Sequence, residues 1–299
     1  MGRGMRNKYV FAAALLLTVF LGGAGITWLS VDREAKSNEE NSFTVITSFY
    51  PMYIAAKNII GDAQVELMNL SEPKTGCMHD YQLTTQDMKK LSAADVFIVN
   101  GGGIENFLAD VAKQLPKLKI IYACENIELL DENAHVWMSV SDYGKQVREI
   151  TAGLVKADRK HAREYKKNGD RYLGALEELN RRKDKVAALA KGKKPVLFHE
   201  AFAYLARDLK MEVCASMDLD EERQVSAGEV KNIVQKVLDK QASMILAEKL
   251  YGQEMSEAVQ RETGVDVLYL DTCVRGDYDA DSYLDAMSDN LKKIESLCK

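Results

Sequence analysis

Apolar and polar positions along this chain fall into three regimes. Behind Arg3, Arg6 and Lys8 lies an apolar stretch from about Tyr9 to Leu29, free of charge. From Phe43 onward, short apolar runs of strand length alternate with stretches of helical period. Strands are predicted over Phe43–Thr47, Val65–Asn69, Val96–Asn100 and Ile120–Ala123, and helices over Met52–Ile60, Thr85–Leu91 and Ile104–Gln114. Gly101, Gly102 and Gly103 mark a tight strand-to-helix turn; they lack both the G-x-G-x-x-G spacing and a Walker lysine.

From about Ser141 to Lys191 the period is helical throughout and heavily charged. Val147, Ile150, Leu154 and Val155 form one apolar stripe, and Tyr172, Leu173, Leu176, Leu179 and Val186 a second, on one long helix or two in series. Gly192 then stops the run, and the alternation resumes. Strands are predicted over Pro195–Phe198, Glu212–Ala215, Met244–Leu246 and Val265–Leu270, and helices over Phe202–Asp208, Ala227–Lys240, Gly252–Glu262 and Asp279–Leu297. Short apolar strands separated by helices imply mostly parallel sheets covered on both faces. The expected architecture is therefore α/β: an N-terminal lobe over 43–140, a helical region over 141–191 and a C-terminal lobe over 192–299.

The terminal apolar stretch changes the picture of where the chain works. Roughly 21 residues at ~1.5 Å each would cross ~30 Å of hydrocarbon, and positive charge in front keeps the N-terminus in the cytoplasm. Residues 1–29 read as a signal or membrane-anchor segment, with the small residues Gly22–Gly25 as a plausible cleavage zone. Residues 30–42 read as a polar tether. Cleaved or anchored, the chain is expected outside the cytoplasm, at the outer face of the membrane or in a periplasm. No cysteine near the segment offers a lipid attachment point. A disulfide joining Cys273 to Cys214 or Cys298 is possible in that compartment. A length of 299 residues suits two ordinary cores, and a net charge of -5 without a basic stripe speaks against nucleic acid.

Three of the four histidines follow or end apolar runs: His79 in CMHDYQLTTQD, His135 in NAHVWMS and His199 in VLFHEAF. Loops beyond strand carboxyl ends of open α/β sheets converge on one crevice. Neutral imidazoles joined by a carboxylate make a first shell for a divalent transition metal. Asp271, Glu248, Glu200 and the thiolate of Cys77 are the candidates for a fourth donor, with Asp271 leading because it closes the run VDVLYLD. His161, in KADRKHAREYKK, reads instead as a solvated histidine on a charged helix face.

These motifs together resemble the metal-binding lipoprotein family of ABC importers, the solute-binding proteins for zinc and manganese. HDYQLTTQDMKKLSAADVFIVNGGGIENFL is similar to the family's H-D-Y-E-P-T…D…L…A-D…N-G…E pattern, NAHVW to its D-P-H-x-W, and FHEAFAYLARDLKMEV to its F-H-D-A-F-x-Y-x-A stretch. The resemblance maps the family's ligands onto His79, His135, His199 and Asp271, and implies two α/β lobes bridged by one rigid long helix. Gln82 and Leu83 replace the usual acid-proline pair, Ala134 replaces a proline, and the lipid-modified cysteine and histidine-rich loop are missing. The function implied is capture of a divalent metal, Zn2+ with Mn2+ or Fe2+ as alternatives, and delivery by a monomeric, non-enzymatic protein to an ABC permease in the cytoplasmic membrane. Competing readings are a zinc metallohydrolase and a metal-stabilised surface adhesin.

Overall fold

The computed structural model describes residues 43–72, 78–79, 81–217, 219 and 225–299. The Tyr9–Leu29 segment, the tether and Cys77 lie outside them. Among the described residues, no helix is long and apolar enough to cross a membrane.

The alternation folds into two four-stranded sheets. The first holds β1 (Phe43–Thr47), β2 (Val65–Asn69), β3 (Val96–Val99) and β4 (Lys119–Tyr122) in the order β2-β1-β3-β4. The second holds β5 (Pro195–Leu197), β6 (Ala215–Ser216), β7 (Met244–Glu248) and β8 (Val267–Leu270) in the order β6-β5-β7-β8. The registers of β1 with β3, β3 with β4, β5 with β6 and β7, and β7 with β8 are all parallel. Both sheets thus repeat one winding, with the strand order reversing beside β1 and beside β5. Residues Val96–Val99 are buried at every position, as a strand covered on both faces requires. The predicted strand at Glu212–Ala215 is displaced: only Ala215 and Ser216 pair with β5, so the edge strand is shorter and later than its apolar pattern suggested.

Helices α1 (Tyr50–Ile60), α2 (Thr85–Ser92) and α3 (Leu108–Gln114) accompany the first sheet. Helices α6 (Phe202–Asp208), α7 (Ala227–Asp239), α8 (Lys249–Thr263) and α9 (Ser282–Cys298) follow the strands of the second. Thr84 and Ser226 open α2 and α7 with capping boxes, each satisfying two backbone donors. Between the sheets run α4 (Val140–Ala157) and α5 (Ala162–Ala190). The 29 residues of α5 span about 43 Å at ~1.5 Å each. Tyr172, Leu176, Leu179 and Val186 are buried along it, as are Val147, Ile150 and Leu154 along α4, so both predicted stripes are core faces. Gly169 of α5 sits so close to α4 that a Cβ there would meet Thr151 Oγ1 at 2.6 Å.

At the α4–α5 junction the structure corrects one expectation. His161 is buried, with Nδ1 2.6 Å from Asp158 Oδ2, and the same oxygen accepts the Tyr165 hydroxyl at 2.7 Å. Burial alone would raise the Asp158 carboxyl, but the hydrogen bonds from Tyr165 and His161 hold it below the usual range. Arg159, Lys160 and Arg163 are exposed while His161 among them is buried, which the local pattern does not reveal.

Candidate metal centre

The loops carrying the candidate ligands leave the carboxyl ends of the strands, where reversals of strand order open a crevice. His199 stands two residues beyond β5, and Asp271 one residue beyond β8. His135 lies at the end of the loop after β4 and begins a single turn of 3-10 helix, Val136–Met138. His79 belongs to the segment between β2 and α2, and Asn106 donates its side-chain amide to the His79 carbonyl at 2.7 Å.

The imidazoles come together around His135. Its ring centroid lies 5.1 Å from that of His79 and 5.3 Å from that of His199. His135 is fully buried against Trp137, whereas the His79 side chain is 44% exposed. Burial holds the His135 ring well below the ordinary histidine range, with His199 and His79 adding to the effect, so it stays neutral and able to ligate. His199 presents a different face: its Nδ1 accepts the Ala201 N–H at 3.1 Å. A neutral ring with that nitrogen accepting carries its proton on Nε2, so ligation of a metal by His199 would require Nδ1 to give up the Ala201 N–H.

Donor atoms of His79, His135 and Glu200 lie within 4.8 Å of one another. Glu200 Oε1 is 3.7 Å from His79 Nε2 and 3.3 Å from His135 Nδ1. Asp271 is not in that cluster. Its Oδ1 accepts the Cys273 N–H at 2.6 Å, while its backbone is bracketed by Asn290, which accepts from its N–H and donates to its carbonyl. The loop that carries it does contact the turn after His135: Trp137 Nε1 donates to the carbonyl of the next residue, Thr272, at 2.9 Å. Glu248 is engaged elsewhere, 3.8 Å from Arg275 Nε. Glu200, which the sequence pattern ranks below Asp271, is the candidate carboxylate that lies beside His79 and His135. Its signal was adjacency to His199, where a turn rather than an extended strand swings two successive side chains into one crevice.

Three further positions support the site without being legible as ligands. Glu105 is a buried carboxylate accepting from Ser48 Oγ, Asn100 N and Gly101 N. Burial raises its carboxyl, and these donors offset part of that cost. They fix the turn at Gly101–Gly103, whose three positive φ angles suit glycine, and Asn100 in turn donates to the Ala134 carbonyl beside His135. Tyr204 ties the two halves together, its hydroxyl donating to the Asn133 carbonyl at 2.6 Å. Cys273, Cys214 and Cys298 are all free thiols, so the expected disulfide is not formed. Burial pushes the Cys273 thiol far up, with the charges of Asp271 and Glu248 adding, so it stays protonated.

Comparison with known proteins converges on the same architecture. The high-affinity zinc uptake system protein ZnuA of Bacillus subtilis is 24% identical over 96% of this chain and 95% of its own length. The manganese-binding lipoprotein MntA of Halalkalibacterium halodurans is 23% identical over 97% and 98%. The solved structure of the Pseudomonas aeruginosa solute-binding protein FpvC with Ni2+ superposes with a TM-score of 0.78 at 26% identity, covering 86% of this chain and 97% of that one. The sequence model of the family described as "Zinc-uptake complex component A periplasmic" matches residues 45–297, and this chain belongs to that family.

Proposed function

We propose that this protein is the extracytoplasmic solute-binding component of a metal ABC importer. It captures one divalent cation between its lobes and delivers it to a permease in the cytoplasmic membrane, working as a monomer exported through its N-terminal segment. The observation that carries the reading is the convergence of His79 and His199 on the buried, neutral His135 at the mouth of two parallel sheets. Those three imidazoles with Asp271 form the proposed ligand set. Imidazole-rich donors suit zinc and disfavour calcium or magnesium. The relatives named for zinc and manganese support the same class of cargo. Manganese or iron is the second reading, favoured by the additional carboxylate of Glu200 beside His79 and His135.

Zinc outranks manganese at nearly any nitrogen site, so a bare preference decides little. The informative comparison is the zinc-to-manganese affinity ratio of the wild type and of His199→Glu, measured by chelator competition on protein purified without added metal. The ratio is expected to fall in the variant. An unchanged ratio would remove His199 from the ligand set, and zinc-dependent hydrolysis of esters or peptides would move the chain to the metallohydrolases.

A further inference from the structure

We propose that Asn133 is the positioning residue that fixes the tautomer of His135 and holds the His199–Glu200 turn of the second lobe in register with it. This rests on the metal-binding reading above. The two ends of the Asn133 amide are assigned by backbone groups of fixed polarity. Its Nδ2 donates to the Glu200 carbonyl at 2.9 Å, and its Oδ1 accepts the His135 backbone N–H at 2.9 Å. A carbonyl cannot donate and a backbone N–H cannot accept, so the amide cannot be turned end for end.

The same Oδ1 lies 2.8 Å from His135 Nδ1. An acceptor there requires a proton on Nδ1, which leaves the Nε2 lone pair of the neutral ring for a metal. The acceptor itself is anchored. The Asn133 N–H donates to the Leu130 carbonyl, its own carbonyl accepts the Tyr204 hydroxyl, and that hydroxyl accepts the Leu130 N–H at 3.0 Å. Glu200 Oε1, 3.3 Å from the same Nδ1, is the competing acceptor, farther away and on a side chain 39% exposed. Asn133 therefore links a ligand of one lobe to the backbone beside a ligand of the other, and one side chain sets both the proton position and the spacing.

The test reads the imidazole nitrogens of the metal-free full-length chain by 15N NMR, which distinguishes a protonated ring nitrogen from one with a lone pair. Wild type is expected to show His135 protonated at Nδ1. Asn133→Ala is expected to lose that uniform tautomer and to bind zinc about tenfold more weakly. Asn133→Asp, which keeps an acceptor, is expected to restore Nδ1–H; Glu200→Ala is expected to leave it unchanged. A uniform Nδ1–H in Asn133→Ala, or its loss in Glu200→Ala instead, would overturn the proposal. Should Asn133→Ala not fold, the wild-type and Asn133→Asp spectra still decide, since Nε2–H in either one overturns it. The tautomer is read without metal, so a wild type with Nδ1–H that binds no zinc would remove the metal reading and leave the role of Asn133 standing.

Discussion

At the scale of single residues, the four histidines separate into three whose rings gather around His135 and one paired with Asp158. Replacing His79, His135 or His199 by alanine is expected to weaken zinc binding at least tenfold, about 1.4 kcal/mol, in competitive titration. His161→Ala is expected to leave binding unchanged, but to lower stability by about 2 kcal/mol in denaturant titration because it removes one of the donors to the buried Asp158 carboxylate, leaving the Tyr165 hydroxyl and the Lys160 N–H. Asp271→Asn and Glu200→Gln form the complementary pair: the larger loss identifies the carboxylate that the ion uses. His135 also gives a pH dependence with a definite sign. Its folded-state pKa is depressed, so the unfolded chain takes up the proton first as pH falls through ~6.5. Metal-free stability should therefore be full above that value and decline below it, with a shallower decline in His135→Gln. Imidazole placement after apolar runs was legible in the sequence. Glu200 was legible only as one of four candidate fourth donors, and Asn133 and the burial of His161 were not legible at all, because each depends on how a loop turns or a helix junction packs, and side-chain type alone does not encode that.

At the scale of elements, the apolar runs located nearly every strand and helix, since parallel strands buried on both faces leave continuous apolar signatures. The helical middle was legible as two stripes, but not as a pair of helices packed on each other. That arrangement depends on small residues at close approaches. Gly153 of α4 faces Ile121 of β4, where an added Cβ would meet three side-chain atoms at 2.6 to 2.9 Å. Gly153→Ala gains about 1 kcal/mol of helix propensity and incurs overpacking of about 1–3 kcal/mol. Thermal melts are expected to show net destabilisation, and a stabilised variant would mean the helix and sheet part more easily than described. The short α6 is pinned to α4 by Arg207, 2.6 Å from Asp142, and by Ser139, which donates to Asp208. With Arg207 38% exposed, solvent screening limits the pair, and Arg207→Ala is expected to cost only about 1 kcal/mol.

At the scale of the whole molecule, the two sheets are tied across the crevice at many points. Tyr50 donates to the Asp277 carbonyl, Asn58 to the Ala280 carbonyl, Asn69 to the Tyr278 hydroxyl and Tyr283 to the Trp137 carbonyl. Tyr278 further packs on Tyr53, with ring centroids 4.0 Å apart. Wide opening would break all of these, so metal release is expected to move loops rather than lobes, with little change in radius of gyration on adding zinc. The same ties predict a single unfolding transition for residues 43–299, present without metal and shifted upward by it. A ligand at a hundred times its Kd adds about 2.7 kcal/mol. Unfolding on chelation alone would instead mark the metal as structural, as in a metal-stabilised adhesin. The most direct test of the central claim is X-ray absorption at the zinc edge on protein loaded with one equivalent. The account predicts three imidazole shells at about 2.0–2.1 Å with at least one carboxylate oxygen. A first shell with fewer than two imidazoles, or one containing sulfur, would contradict it.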